Sequence, residues 1–390
     1  MSENGIIHPQ LERLEKTALK VGAAGLALCA VGALLNLDQF FRSYLLGYLF
    51  WAGITLGSFG LLMVHHLSGG GWGYAIRRCL ESAIRTLPLV ALLLVPILLG
   101  VNRLYIWTDA ELMATDHILH GKQPYLNVPF FMARAVLYFL IWGVYGWMLN
   151  KWSFEQDRTK DPKLSRRLEV ISGPGLVLLG LTITFASVDW VMSLDPHWFS
   201  TMYGLIFVVG DVLATLSFAI CLITYLSDRE PLAGFLKVSH YHDLGNLMLA
   251  FVMLWAYLSF SQYLIIWSGN LPEETPWYIH RTGHGWSAIA IVLIIFHFAL
   301  PFVLLLSRKT KRVAATLVKI AAFVLVMRLV DLFWQVAPAF YNEHLTVHWM
   351  DLAAPVAIGG LWVWFFARQM KDKPLLPLHD PGLAEAGGEA

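Results

Sequence analysis

Charged groups that interrupt apolar sequence are the first residues to read for chemistry, because a charge within a bilayer is costly unless something uses it. Asp189 lies in "FASVDWVMSLDPHWFST" (185–201), an apolar run that then acquires Asp195, Pro196 and His197. Such a carboxylate either reaches water from near a helix end or belongs to a proton or substrate path. Arg328 and Asp331 stand three apart, so on a helix they share a face and can pair, which lowers the cost of burying either. An ion pair that merely fixes packing is the competing reading for these two. Thr182, Thr184 and Ser187 near Asp189, and Ser259, Ser261 and Tyr263 elsewhere, could supply hydroxyls or hold waters.

These groups need elements to hold them, and composition names the kind. Of 390 residues 57% are hydrophobic, only 14% are charged and 16 are Trp, which places the chain among integral membrane proteins. A hydrocarbon core of about 30 Å takes about 20 apolar residues per helix. Stretches of that kind fall at 17–37, 41–67, 82–100, 129–149, 171–192, 202–226, 244–267, 286–306, 313–334 and 350–366. An all-α membrane protein of about ten transmembrane helices is expected, with little sign of broken spans. The first stretch follows "LERLEKTALK" with no A-x-A-like site behind it, so it reads as a retained helix rather than a cleaved signal.

Internal similarity suggests a duplication. Gly47-x-x-Phe50-x-x-Gly53 followed by Ser58-Phe59 in the second stretch parallels Gly204-x-x-Phe207-x-x-Gly210 followed by Ser217-Phe218 in the sixth, and "LYIW" (104–107) parallels "LIIW" (264–267). A shift of four helices preserves orientation. The expected organisation is two four-helix bundles, helices 2 to 5 and 6 to 9, flanked by helices 1 and 10. By residue this means 1–40 for the N-terminal segment and helix 1, 41–150 for the first part of bundle one, 151–200 for the loop and helix completing it, 201–335 for the second bundle, and 336–390 for helix 10 and the tail. Glycines at such positions also let helix backbones approach closely, which needs no function.

Basic residues set the expected orientation. Twenty fall in loops on the side of the termini, against Arg42, Arg103, Lys122 and Arg281 on the other, so both termini are expected in the cytoplasm. Asp189, Arg328, Asp331, Asp351, Arg134 and His284 then lie toward the outer face. His65, His66, Arg85, His242, Asp243 and Lys319 lie toward the cytoplasm, with Asp211 and His297 nearer the middle. The outer loops 102–127 and 268–285 are rich in Trp, Tyr, Pro, His and acids; "DAELMATDHILHGK" can form a short interfacial helix, and "WYIHR" can face either headgroups or a partner.

Resident cofactors are not expected in this chain. Cys29, Cys79 and Cys221 are far apart and show no metal-ligand spacing. Among 14 His, the pairs His280/His284 and His344/His348 have i,i+4 spacing but sit near the outer surface, and only His297 is deep enough to face a haem within the span. A net charge of +1 argues against nucleic acid as a partner.

Three motifs carry a resemblance: "SVDWVMSLDPHWFSTMYG" (187–204), "SQYLIIWSGNLPEETPWY" (261–278) and "HGKQPYLN" (120–127). Over nearly the whole chain the sequence resembles the NrfD-like, polysulfide-reductase membrane-subunit superfamily, and within it the ActF-type subunits of bacterial alternative complex III. The resemblance implies a subunit without redox cofactors in the bacterial inner membrane. It would partner ActA-, ActB-, ActC-, ActD- and ActE-type subunits, which carry haem c and iron–sulfur clusters, in a respiratory complex that oxidises menaquinol and passes electrons to a periplasmic carrier or a terminal oxidase. It also implies support of assembly and two proton half-channels. Laid on this sequence, Asp189, Arg328 and Asp331 make the outer half-path, and Lys319, His242, Asp243 and Asp211 the inner one. Two other readings stay open: a quinol-binding subunit using Asp189, Trp190 and His197, and a secondary transporter, which would need discontinuous helices around a midplane site.

Overall fold

In lipid every backbone polar group must find a partner within the protein, and long apolar segments solve this as helices. The computed structural model describes residues 9–341, 344–371 and 373–383, and among these every regular element is helical. The long helices are α1 (Pro9–Leu35), α2 (Leu37–Ser68), the consecutive α3 (Gly71–Ile84) and α4 (Leu87–Leu99), α5 (Val128–Thr159), α6 (Lys163–Trp190), α7 (Tyr203–Tyr225), α8 (Val238–Gly269), α9 (Trp286–Leu306), α10 (Ala314–Val336) and α11 (Met350–Lys371). Eight of them are long and apolar enough to cross a membrane, and α3 with α4 makes a ninth crossing. The tenth is α10, whose 23 residues include Lys319, Arg328 and Asp331. The chain is a multi-pass, all-α membrane protein.

Several helices outrun their apolar centres. The third span begins at Gly71 rather than at 82, α5 continues to Thr159 rather than 149, and α8 starts at Val238 rather than 244. Hydropathy registers only the part that must match lipid, whereas backbone hydrogen bonding continues into polar turns beyond it. The third span is also bent by 45° between α3 and α4, contrary to the expectation of unbroken spans. Pro88 has no N–H for the carbonyl four residues back and its ring clashes there. The groups freed at the bend are taken up locally: the Arg85 N–H donates to the Glu81 carbonyl, the Thr86 N–H and hydroxyl both donate to the Ala83 carbonyl, and the Thr55 and Thr86 hydroxyls share a hydrogen bond of 2.9 Å. A second irregularity lies inside α9, where Leu293–Ala299 is a π-helical turn; Pro301 has no N–H to give the His297 carbonyl.

α2 and α7 form the centre. Their spanning segments are 89% and 83% buried, against 28% for α1, α5 and α8. Glycines let the two approach: a Cβ on Gly53 would stand 2.5 Å from Asp211 Oδ1, and one on Gly57 only 2.4 Å from the Asp211 carbonyl oxygen. The Thr215 hydroxyl crosses the seam to the Ile54 carbonyl at 3.0 Å. Residue numbers rise together along this contact, so the helices run parallel. α1 and α11 are antiparallel, with Gly22 on Gly360, Gly25 on Ala357 and Gly32 on Met350. Lys371 pairs with Glu15 at 2.9 Å, so the helices that begin and end the chain share one face of the molecule.

Candidate functional site

Buried charge gathers in three places. The first is deep in the helices that pack on α7. Arg328 of α10 donates through Nη2 to Asp211 Oδ1 of α7 at 3.1 Å and through Nη1 to Asp331 one turn along its own helix. Asp331 Oδ2 also accepts from Gln335 Nε2 at 3.1 Å and from Trp255 Nε1 of α8 at 3.3 Å. All three charged residues are at most 5% exposed. Gly210 leaves the space: a Cβ there would lie 2.2 Å from the Arg328 guanidinium carbon. His297, on the π-helical turn of α9, is fully buried, and its ring stands edge-to-face on Trp255 with centroids 4.4 Å apart. Among the described residues, both its ring nitrogens, Arg328 Nε and Gln335 Oε1 have no hydrogen-bond partner. Buried polar groups in this state are expensive and concentrate at functional positions, as do π-helical turns.

From this cluster a polar track leads to the face opposite the termini. The carbonyl of Gln335 accepts from Arg281 Nη2 at 2.8 Å, and the same nitrogen reaches Asp195 Oδ2 at 3.0 Å. Arg281 lies on the short helix Thr275–Thr282, its guanidinium 3.8 Å above the Trp277 ring, and is 1% exposed, so the "WYIHR" segment turns its Trp and Arg inward. Burial pushes the Arg281 guanidinium below its ordinary value, opposed mainly by Asp195. A guanidinium keeps its proton, so Arg281 acts by positioning its neighbours. Toward the termini the character of α7 changes: its buried residues after Asp211 are Val212, Leu213, Ala214, Leu216, Ala219, Ile220 and their like, with Thr215 and Ser217 the polar exceptions.

Asp189 belongs to a second site. Arg134 of α5 grips its carboxylate with Nε and Nη2 at 2.9 and 2.8 Å, and the Tyr138 hydroxyl donates to it at 2.7 Å. Arg134 in turn lies 3.8 Å over the Tyr125 ring and donates to the Tyr125 carbonyl. The partner of Asp189 is thus Arg134, and no hydrogen bond or ion pair joins it to Arg328 among the described residues. Trp190 packs among Tyr48, Tyr138 and Trp142, while the half-exposed His197 holds Asp116 at 2.7 Å. Asp189, Trp190 and His197 therefore face three different surroundings.

The third site is on the termini's face. Glu81 binds both Arg77, at 2.9 Å, and Arg78, at 2.5 Å; Arg78 also holds Asp157. The tail returns beneath α3, where Asp380 accepts from Arg77 at 2.5 Å and from the Tyr74 hydroxyl at 3.1 Å. Of the other residues expected on this side, His242 and Asp243 meet as sequence neighbours, and among the described residues no hydrogen bond or ion pair ties them to Lys319 or Asp211. Lys319 is exposed on α10, and half-buried His242 meets its neighbour Asp243 at 3.4 Å and Asn246 at 3.3 Å, the latter bound to Lys311.

Sequence reasoning paired Arg328 with Asp331 but did not bring Asp211 or His297 to them, because those residues stand on helices remote in sequence. It missed Arg281 and Gln335 as links and Arg134 as the partner of Asp189; the only signal for Arg134 was a second charge in an apolar span. Among the described residues no group of three or more His, Cys, Asp and Glu is arranged to hold a metal ion. No family model matches the chain, and no curated protein is significantly similar to it.

Proposed function

We propose that the chain is the cofactor-free, proton-conducting membrane subunit of a respiratory quinol:acceptor oxidoreductase of the alternative complex III type, with Asp211, Asp331 and His297 as its proton-handling groups. The assignment to that complex rests on the three motifs, which also carry the partners with their haem c and iron–sulfur clusters, menaquinol as reductant and the inner membrane; cytoplasmic termini rest on the distribution of basic residues. The proton role rests on one observation: two carboxylates share one arginine beside a buried imidazole with both nitrogens unpartnered, and the cluster connects by Gln335 and Arg281 to Asp195 at one face. A carboxylate that shares its cation with another can be neutralised at lower cost than one held alone.

Asp189, gripped by Arg134 and Tyr138, fits a structural role better, and against the quinol reading Trp190 packs among Tyr48, Tyr138 and Trp142 while His197 holds Asp116. The bend between α3 and α4 does not favour a transporter, because its backbone groups are bonded within the protein.

The test uses the whole complex in vesicles. Asp211→Asn should leave assembly and quinol oxidation within about twofold of the native complex, since a neutral amide can still accept from Arg328, while protons released or taken up per electron fall. Unchanged proton stoichiometry in an assembled variant would remove the relay. Purified chain that arrives without haem- and cluster-bearing partners would remove the complex.

A further inference from the structure

A pocket of about 350 Å³ opens at the face opposite the termini, walled by Tyr125, Leu126, Val188, Met192, Trp198 and Phe199, with Lys122 among its lining. That volume and apolar character suit a ligand with a substantial hydrocarbon part. Lys122 ends the short helix His117–Lys122; its ammonium donates to the Pro196 carbonyl at 2.5 Å and stands 5.6 Å over the Phe199 ring. Among the described residues no carboxylate pairs with it. Burial disfavours the charged ammonium here and pushes Lys122 below the usual lysine range. A cation partly removed from water and lacking an anion is an incomplete pair. Trp198, another wall residue, keeps a buried indole N–H with no partner among the described residues.

The floor of the pocket continues into the bilayer. Val177, Leu181 and Phe185 on α6 are 64%, 52% and 47% exposed, and they lie at helical spacing below Val188. An apolar stripe therefore leaves the pocket along the helix surface toward the membrane interior. We propose that this pocket binds an anionic phospholipid, its phosphate on Lys122 and one acyl chain passing over Val188 down the Phe185–Leu181–Val177 stripe. The charge selects an anion, and the stripe selects a diacyl lipid over a soluble phosphate. The proposal goes beyond the respiratory reading and does not depend on it.

The experiment is native mass spectrometry of the full chain released from nanodiscs of mixed phosphatidylcholine and phosphatidylglycerol, with affinities read by titrating phosphatidylglycerol into delipidated protein. One phosphatidylglycerol should be retained in preference to phosphatidylcholine. Lys122→Gln should weaken it about tenfold, the loss of one charge-assisted contact, while Lys122→Arg keeps it. Val188→Phe, which fills the pocket and leaves Lys122 intact, should weaken it as well, and soluble glycerol phosphate should not compete. No preference for phosphatidylglycerol would overturn the proposal. So would competition by glycerol phosphate together with indifference to Val188→Phe, which would mean a bare anion site, and so would displacement by a short-chain menaquinone analogue, which would mean a quinone pocket.

Discussion

A carboxylate is defined by its cation, and the buried sites of Arg328 and Arg134 show opposite arrangements. Arg134 serves Asp189 alone, with two nearly equal contacts and a tyrosine hydroxyl closing the remaining side. Replacing such a partner leaves a buried charge uncompensated, which costs about 3–5 kcal/mol. Asp189→Asn should therefore lower the thermal unfolding midpoint of the detergent-solubilised protein markedly, and Arg134→Gln in the same background should recover part of the loss; a midpoint unmoved by the single variant would show the pair to be dispensable. At the surface, Asp116 accepts from His197 and also caps the helix carrying Lys122 through the Ile118 and Leu119 N–H groups. The hydrogen bond from His197, then these backbone donors, hold its carboxyl below the usual range. A depressed carboxylate supports the fold while ionised, so its contribution is present above the ordinary value near pH 4 and is lost as pH falls through the lower folded value. Hydrogen exchange in 117–122 should accelerate across that acidic window, and Asp116→Ala should show the faster exchange already at neutral pH.

At the level of helices, close approach at glycine makes the central charge site geometrically possible. α2 meets α7 across Gly53 and Gly57, and the nearest atom to a Cβ on Gly57 is backbone, which cannot swing aside as a side chain would. Gly57→Leu should force α2 from α7, destabilise the protein by about 1–3 kcal/mol or more, and move Asp211 relative to Arg328; a variant with native thermal stability would show that the seam has slack. Nine crossings were legible because each carries an apolar centre of the length lipid demands, and α10 because its apolar run has that length despite Lys319, Arg328 and Asp331. The bend at Arg85–Thr86 and the π-helical turn of α9 were not, since a proline near a span signals only a local conflict, and neighbouring helices decide whether it ends, bends or bulges the element. Arg77 and Arg78 read as loop anchors for a related reason. Hydropathy counts their charge but cannot see Glu81, Asp157 and Asp380 converging on them.

Across the molecule, residues 373–383 are part of the folded body. Leu375 and Leu376 are buried and Asp380 completes the ion network under α3. Asp380→Ala should cost about 1–3 kcal/mol, the worth of hydrogen bonds to a charged group, seen as a lower unfolding midpoint with the far ends of the helices unaffected in hydrogen exchange. An unchanged midpoint would mean that Glu81 alone satisfies Arg77. The antiparallel seam of α1 and α11, tight enough that Gly22 and Gly360 touch backbone to backbone, has a consequence for how the molecule is made. A ribosome delivers α1 long before its docking partner α11, so in the interval α1 must wait in lipid with its glycine face uncovered. Closure of this seam is thereby a late event: a nascent chain arrested before residue 350 would hold most of the core described here and yet leave α1 adrift, open to capture by an insertase or a membrane protease.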